Sequence, residues 1–148
     1  MKKIENLECI LLIDDDGAVN FINELIIKKA GIRTHVQTVI NAQQGLDYLI
    51  RAGDFLEFSH SVQPGIIFLD INMPGMNGWD FLSEYKKLPK QQRDQTVVVM
   101  LTSSINPDDK QKGENHPEVV AFMNKPLSKD SIMEIIKAHF AKFPIEIE

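Results

Sequence analysis

Apolar residues fall in two kinds of run along this chain. Short, unbroken runs rich in Val, Ile, Leu and Phe occupy 9–13, 65–69, 96–101 and 119–123. They do not alternate with polar residues, which is how strands buried on both faces of a parallel sheet read. A fifth run, 34–39, is more polar and suits an edge strand. Between these runs the apolar positions recur at helical spacing. Val19, Ile22, Leu25 and Ile26 form one set. Ala42, Leu46, Leu49 and Ile50 form a second, behind an N-cap at Asn41. A third helix runs from about Gly78 to Lys87 with Asn77 as its cap, and a last one, beginning near Ser128, carries Ile132, Ile135, Ile136 and Phe140. Asn106-Pro107 opens another helix, with a cap and a proline in the first turn. Residues 107–117 hold no large aliphatic side chain and no Phe, Tyr or Trp, so that helix is weakly anchored and mobile.

The order is (βα)₅. It predicts an α/β fold with a doubly wound, parallel, five-stranded sheet and helices on both faces. The flavodoxin-like strand order 2-1-3-4-5 is the expectation. With 148 residues the chain is about one ordinary domain, so one unit is expected over 1–148. Residues 144–148, after the last helix, are too few for an output domain.

Composition narrows the function classes. The formal net charge is −5 and no basic stripe is present, which argues against nucleic-acid binding. The lone cysteine, Cys9, sits in an apolar run and reads as a small buried hydrophobe. No apolar stretch approaches the ~20 residues needed to cross a bilayer. The N-terminal residues lack a signal-peptide pattern. A cytoplasmic protein, with no membrane partner, is the expectation.

Polar residues gather where the strands end. The first strand runs into Asp14-Asp15-Asp16, the third into Asp70, the fourth into Thr102-Ser103-Ser104 and the fifth into Lys125-Pro126. Ligands of open α/β sheets bind at these carboxyl ends. Neighbouring strands lie about 5 Å apart, so the 2-1-3-4-5 order brings Asp14 and Asp15 beside Asp70. Thr102 and Lys125 follow on the next two strands. Clustered carboxylates repel unless a cation is shared, and oxygen-only ligands suit Mg²⁺. The arrangement reads as a metal site that receives a phosphoryl group. Asp70 would be the nucleophile, with Lys125 and the metal balancing charge and Thr102 bonding a phosphoryl oxygen.

These motifs resemble the receiver domains of two-component response regulators. The likeness rests on Asp14-Asp15, on Phe68-Leu69-Asp70-Ile71-Asn72-Met73-Pro74-Gly75-Met76-Asn77-Gly78, on Leu101-Thr102-Ser103 and on Asn124-Lys125-Pro126. It covers the chain from about Leu7 to Phe143. The resemblance implies that Asp15 binds Mg²⁺ (or Mn²⁺) directly, Asp14 directly or through water, and that Asp70 and the backbone carbonyl of Asn72 complete the set. It implies that Lys125 pairs with Asp70 or its phosphate, ahead of a cis Lys125-Pro126 peptide. Phe122 becomes an aromatic switch that turns inward when Thr102 moves. Asn72 and Ser104 flank the site where the phosphoryl lifetime is tuned. The implied partners are a sensor histidine kinase or histidine phosphotransfer protein upstream and an unknown protein downstream. The chain would be a monomer or weak homodimer and no enzyme beyond its own phosphorylation and dephosphorylation.

Blander readings stand beside these. Asp16 reads as a helix-start acid rather than a ligand. Phe122 reads as core, and can be both core and switch. His35, His60, His116 and His139 show no metal spacing and read as surface residues. Trp79 packs at the start of the third helix. A flavodoxin-type electron carrier would need a Ser/Thr/Gly-rich phosphate loop where this chain has three aspartates. An aspartyl-nucleophile hydrolase would carry a second aspartate at position 72, where this chain has Asn. A receiver that signals without phosphorylation is a further rival, although no residue it would lack is missing here.

Overall fold

The computed structural model describes residues 2–4, 6–52, 63–103, 105–140 and 145–146. Its elements are β1 (Lys2–Lys3), β2 (Cys9–Ile13), α1 (Gly17–Lys29), β3 (Ile32–Arg33), β4 (His35–Val39), α2 (Ala42–Ile50) and β5 (Ile66–Asp70). They continue as α3 (Gly78–Tyr85), β6 (Val97–Thr102), α4 (Pro107–Gly113), β7 (Val119–Asn124), α5 (Lys129–His139) and β8 (Ile145–Glu146). Five strands pair in parallel in the order β4-β2-β5-β6-β7. Numbered as the five strands read from the sequence, this is 2-1-3-4-5.

The unbroken apolar runs of β2, β5 and β6 are explained by burial on both faces; the fourth run, β7, departs from that reading, being half-buried because it forms an edge of the sheet. In β2, Cys9, Leu11 and Ile13 point to one side, with Ile67, Leu69, Val98 and Met100 of the neighbouring strands. There they meet Leu46 and Leu49 of α2 and Phe81, Leu82 and Tyr85 of α3. Ile10, Leu12, Ile66, Phe68, Val99 and Leu101 point to the other side. Their partners are Ile27 of α1 and Ile132, Ile135 and Ile136 of α5. Each such fully buried side chain contributes roughly 1.5–3 kcal/mol. β4, at the edge, is half exposed, as its polar residues require.

Helix boundaries follow local chemistry. Asn41, Asn77, Asn106 and Ser128 each accept an N-terminal backbone amide with the side chain. Asn77 and Ser128 form full capping boxes. The stripe read on α5 is the buried one, and Phe140 closes it at 8% exposure.

α1 differs from its reading. Ile22 and Leu25 lie in solvent at 45% and 40% exposure, beside Phe21 at 64%. The inward face is Asn20, Asn23 and Ile27. Apolar spacing misled here because two polar residues spend their hydrogen bonds inside. Ile50 of α2 is also outward-facing. A small second sheet, β3-β1-β8, was not anticipated, because strands of two residues carry no periodicity. α4 forms where Asn106-Pro107 signals it, and it buries no residue. The connection at 53–62 lies outside the described residues.

Gly78, the first residue of α3, packs its bare Cα on the backbone below. A Cβ there would stand 2.7 Å from the Asp70 carbonyl oxygen and 3.0 Å from the Ile71 Cα. At Gly17, the first residue of α1, a Cβ would meet nothing within 4 Å. Gly78→Ala is therefore expected to destabilise by about 1–3 kcal/mol, and Gly17→Ala to stabilise by about 0.4–1 kcal/mol. Urea denaturation of both variants beside the parent checks the pair; a Gly78→Ala midpoint equal to the parent's would contradict it.

Candidate functional site

Strand register assembles the site. Ile13 pairs with Leu69, so the residues that follow, Asp14 and Asp70, are neighbours. Asp70 pairs with Leu101 and Thr102 with Asn124, which brings Thr102 and then Lys125 to the same end of the sheet. Carboxylate oxygens of Asp14, Asp15 and Asp70 lie within 4.8 Å of one another. Asp14 and Asp70 are each 2% exposed, whereas Asp15 is open to solvent.

The Lys125 ammonium sits between the two buried acids, 2.7 Å from Asp14 Oδ2 and 3.0 Å from Asp70 Oδ1. Backbone amides hold the other contacts. The Asp16 N–H donates to Asp14 Oδ1 at 2.9 Å, and the Asn72 N–H to Asp70 Oδ1 at 3.2 Å. Asp70 Oδ2 is buried and has no hydrogen-bond partner among the described residues. Lys125 is itself placed by its N–H, which donates to the Thr102 carbonyl at 2.9 Å. The Lys125-Pro126 peptide is cis.

Burial pushes the Asp70 carboxyl up to about 6, with Lys125 pulling against it and the Asp14 charge adding to it. Burial would lower the Lys125 ammonium, but its bonds to Asp14 and Asp70 outweigh that and hold it above its usual range. Two buried carboxylates thus share one ammonium, with the Asp15 carboxylate beside them. A divalent cation fits this set: the donors are all oxygen, and a buried carboxylate oxygen is left without a donor.

Other residues fall as follows. Thr102 ends β6 and is 2% exposed. Asn72 is exposed on the loop beyond Asp70, and Ser104 lies outside the described residues. Phe122, on β7, is half-buried; its ring lies 6.2 Å from that of Trp79. A Cβ at Gly113, the last residue of α4, would come within 2.6 Å of the Phe122 ring. Asp16 caps α1 by accepting from the Ala18 and Val19 N–H groups and takes no part in the carboxylate cluster. Cys9 is fully buried, and burial pushes its thiol up to about 11. His35 and His139 are exposed, and His60 is outside the described residues. His116 departs from its surface reading. It is half-buried, with its ring 5.4 Å from Trp79 and its Nδ1 3.3 Å from Glu118.

Sequence reasoning missed Asn20 and Asn23. Asn20 Nδ2 donates to the carbonyls of Asp14 and Val39, and Asn23 Oδ1 accepts from the Leu127 N–H. Both stand on the inward stripe of α1 at i and i+3, where an apolar residue is the default, and that breach was the available signal.

Comparison with known proteins agrees with this geometry. Residues 10–137 match the response regulator receiver domain. Protein PilG of Pseudomonas aeruginosa is 31% identical over 137 residues, covering 90% of this chain and 88% of PilG. A two-component response regulator from Cytophaga hutchinsonii superposes with a TM-score of 0.80 at 29% identity, covering 92% of this chain and 98% of that one. The Mn²⁺-bound form of response regulator Rcp1 superposes with a TM-score of 0.70 at 26% identity, covering 95% and 99%. The chain belongs to the response regulator receiver domain family. Proteins of this family work in two-component phosphorelay signalling, phosphorylated by histidine kinases and acting on downstream partners. No helix among the described residues is long and apolar enough to cross a membrane.

The raised Asp70 carboxyl has a sign that can be measured. The folded state holds that proton more tightly than the unfolded chain, whose value is near 3.8. Stability from this group is full below about pH 4 and is lost as pH rises through about 6. In EDTA at pH 7, Asp70→Asn is expected to melt above the parent, with the gap closing as pH falls from 6 towards 4. Thermal melts followed by circular dichroism check this; a gap independent of pH would contradict it.

Proposed function

We propose that Asp70 is the phospho-acceptor and takes its phosphoryl group from the phosphohistidine of a sensor histidine kinase or phosphotransfer protein. The observation that carries this is the unpartnered, buried Asp70 Oδ2. It lies beside two further carboxylates, while Lys125 occupies the other oxygen of the same carboxylate. One face of the nucleophile is held and the other is left for reaction.

Asp14, Asp15, Asp70 and the backbone carbonyl of Asn72 would hold Mg²⁺ or Mn²⁺. When bound, the cation supplies charge neutralisation for the transferring phosphoryl oxygens. Asp70 Oδ2 attacks phosphorus as the phosphorus–nitrogen bond of the donor breaks, and the electron pair leaves with the imidazole. Asp70 must be ionised to attack; burial opposes that, and a cation held beside it would favour the ionised form. Lys125 moves its attention from the Asp70 carboxylate to a phosphoryl oxygen while keeping Asp14 as an anchor. The Thr102 hydroxyl donates to a second phosphoryl oxygen.

The acyl phosphate brings about −2 charge at neutral pH. Thr102 drawn towards it vacates space next to β7, and Phe122 turns inward. Phe122 supports the end of α4, so the α4–β7–α5 face changes and with it the affinity for a downstream protein. The chain turns over no separate substrate; it catalyses only its own phosphorylation and dephosphorylation, as a single receiver domain acting in the cytoplasm as a monomer or weak homodimer.

The test is intact-protein mass after incubation with Mg²⁺ and phosphoramidate. The expected result is one phosphoryl adduct, absent in Asp70→Asn and blocked by EDTA. Labelling that survives in Asp70→Asn would move the acceptor elsewhere. No adduct with any small donor would leave a domain that signals by binding alone.

A further inference from the structure

The inward face of α1 carries two buried carboxamides, Asn20 at 3% and Asn23 at 1% exposure. Neither is needed to complete the helix. Asn20 uses both hydrogens of Nδ2 on main-chain carbonyls: Asp14 at 3.1 Å and Val39 at 3.0 Å. Its amide therefore clips together the ends of β2 and β4 at the residue that begins the acidic cluster. Asn23, one turn on, accepts the Leu127 N–H at 2.9 Å across 104 positions of sequence. Leu127 lies two residues after Lys125, and the Lys125 N–H is itself tied to Thr102. The backbone carrying the ammonium is thus held on both sides, once by β6 and once by α1.

Burying a carboxamide costs more than burying a leucine unless its bonds are made. Two of them on one stripe, Asn20 bonded to the Asp14 backbone even though its own Oδ1 is buried without a partner among the described residues, and Asn23 bonded to the backbone two residues past Lys125, mark a requirement other than packing. We infer that Asn20 and Asn23 are positioning residues. One sets Asp14 and the other sets Lys125, so a single rigid helix fixes the distance between the two groups that flank Asp70. The inference rests on the phosphorylation reading for its consequence, though the hydrogen bonds stand without it.

The two amides act with opposite polarity, which makes the inference separable from a merely structural role. Asn23 acts as an acceptor, so Asp, ionised or protonated, can replace it; Asn20 acts as a double donor, so Leu there releases both carbonyls. The experiment uses Asn23→Leu, Asn23→Asp and Asn20→Leu beside the parent, at a temperature where melting curves show every variant folded. Phosphoramidate-driven phosphorylation is followed by intact mass, and Mn²⁺ affinity by electron paramagnetic resonance. Loss of such an orienting contact typically costs about 10–100-fold in activity or metal affinity. Asn23→Leu is expected to slow phosphorylation by about tenfold at unchanged Mn²⁺ affinity, and Asn23→Asp to restore the rate. Asn20→Leu is expected to weaken Mn²⁺ by about tenfold, because Asp14 loses its anchor.

Leucine variants that melt lower yet keep the parent rate and affinity would overturn the inference, and so would an Asn23→Asp as slow as Asn23→Leu. A parent that takes no phosphoryl group would count against the function proposed above, not against the clamp. The clamp is then decided by hydrogen exchange at the Leu127 amide, expected to be slow in the parent and in Asn23→Asp and fast in Asn23→Leu. Equal exchange in all three would refute it.

Discussion

The ion pairs of Lys125 with Asp14 and Asp70 are what the rest of this structure must accommodate. Two carboxylates at 2% exposure cannot be left to each other in a medium that screens so poorly. The ammonium makes their proximity tolerable, and the strained balance shows in opposite displacements: Asp70 held protonated to a higher pH, Lys125 held charged beyond its ordinary range. Taking the ammonium away leaves two uncompensated carboxylates. The loop before α5 and the Asp14 end of β2 therefore have to be placed together, although more than a hundred residues separate them.

A doubly covered parallel sheet meets that demand at small expense. Because β2, β5 and β6 are buried on both faces, apolar packing holds them side by side while the parallel backbone ladders set their register. The polar residues need only stand at the last position of a strand, as Asp70 and Thr102 do, or one past it, as Asp14 and Lys125 do, to meet. α3 is drawn close to Asp70 because its first residue is glycine, and the capping box at Asn77 starts the helix at that point.

Much of this was legible beforehand, and for identifiable reasons. Strands buried on two sides announce themselves as unbroken apolar runs, so the β2, β5 and β6 positions followed; β7 was located by a similar run although it is a half-buried edge strand, and the 2-1-3-4-5 order came from the flavodoxin-like expectation for such an alternation. The gathering of Asp14, Asp15, Asp70 and Lys125 was legible because residues at the ends of adjacent parallel strands share one edge of the sheet. α1 was misjudged for the converse reason. Its inward stripe combines Asn20 and Asn23 with Ile27, and its outward one contains Phe21, Ile22 and Leu25, so periodicity placed Ile22 and Leu25 on the wrong face. The β3-β1-β8 ribbon was too short to leave a pattern, and the stacking of His116 on Trp79 joins residues that no local motif connects.

Cys9 has a practical corollary. It is the chain's lone sulfhydryl, it is wholly enclosed, and its acidity is suppressed to about 11 beside the Tyr48 hydroxyl, 3.4 Å away. Thiolate is the reactive form, so alkylating agents and mild oxidants find almost nothing to attack at neutral pH. To thiol chemistry the native surface is blank. A fluorophore or spin label attached through a cysteine engineered on α4 would report from that helix alone, without first stripping the protein of its own cysteine.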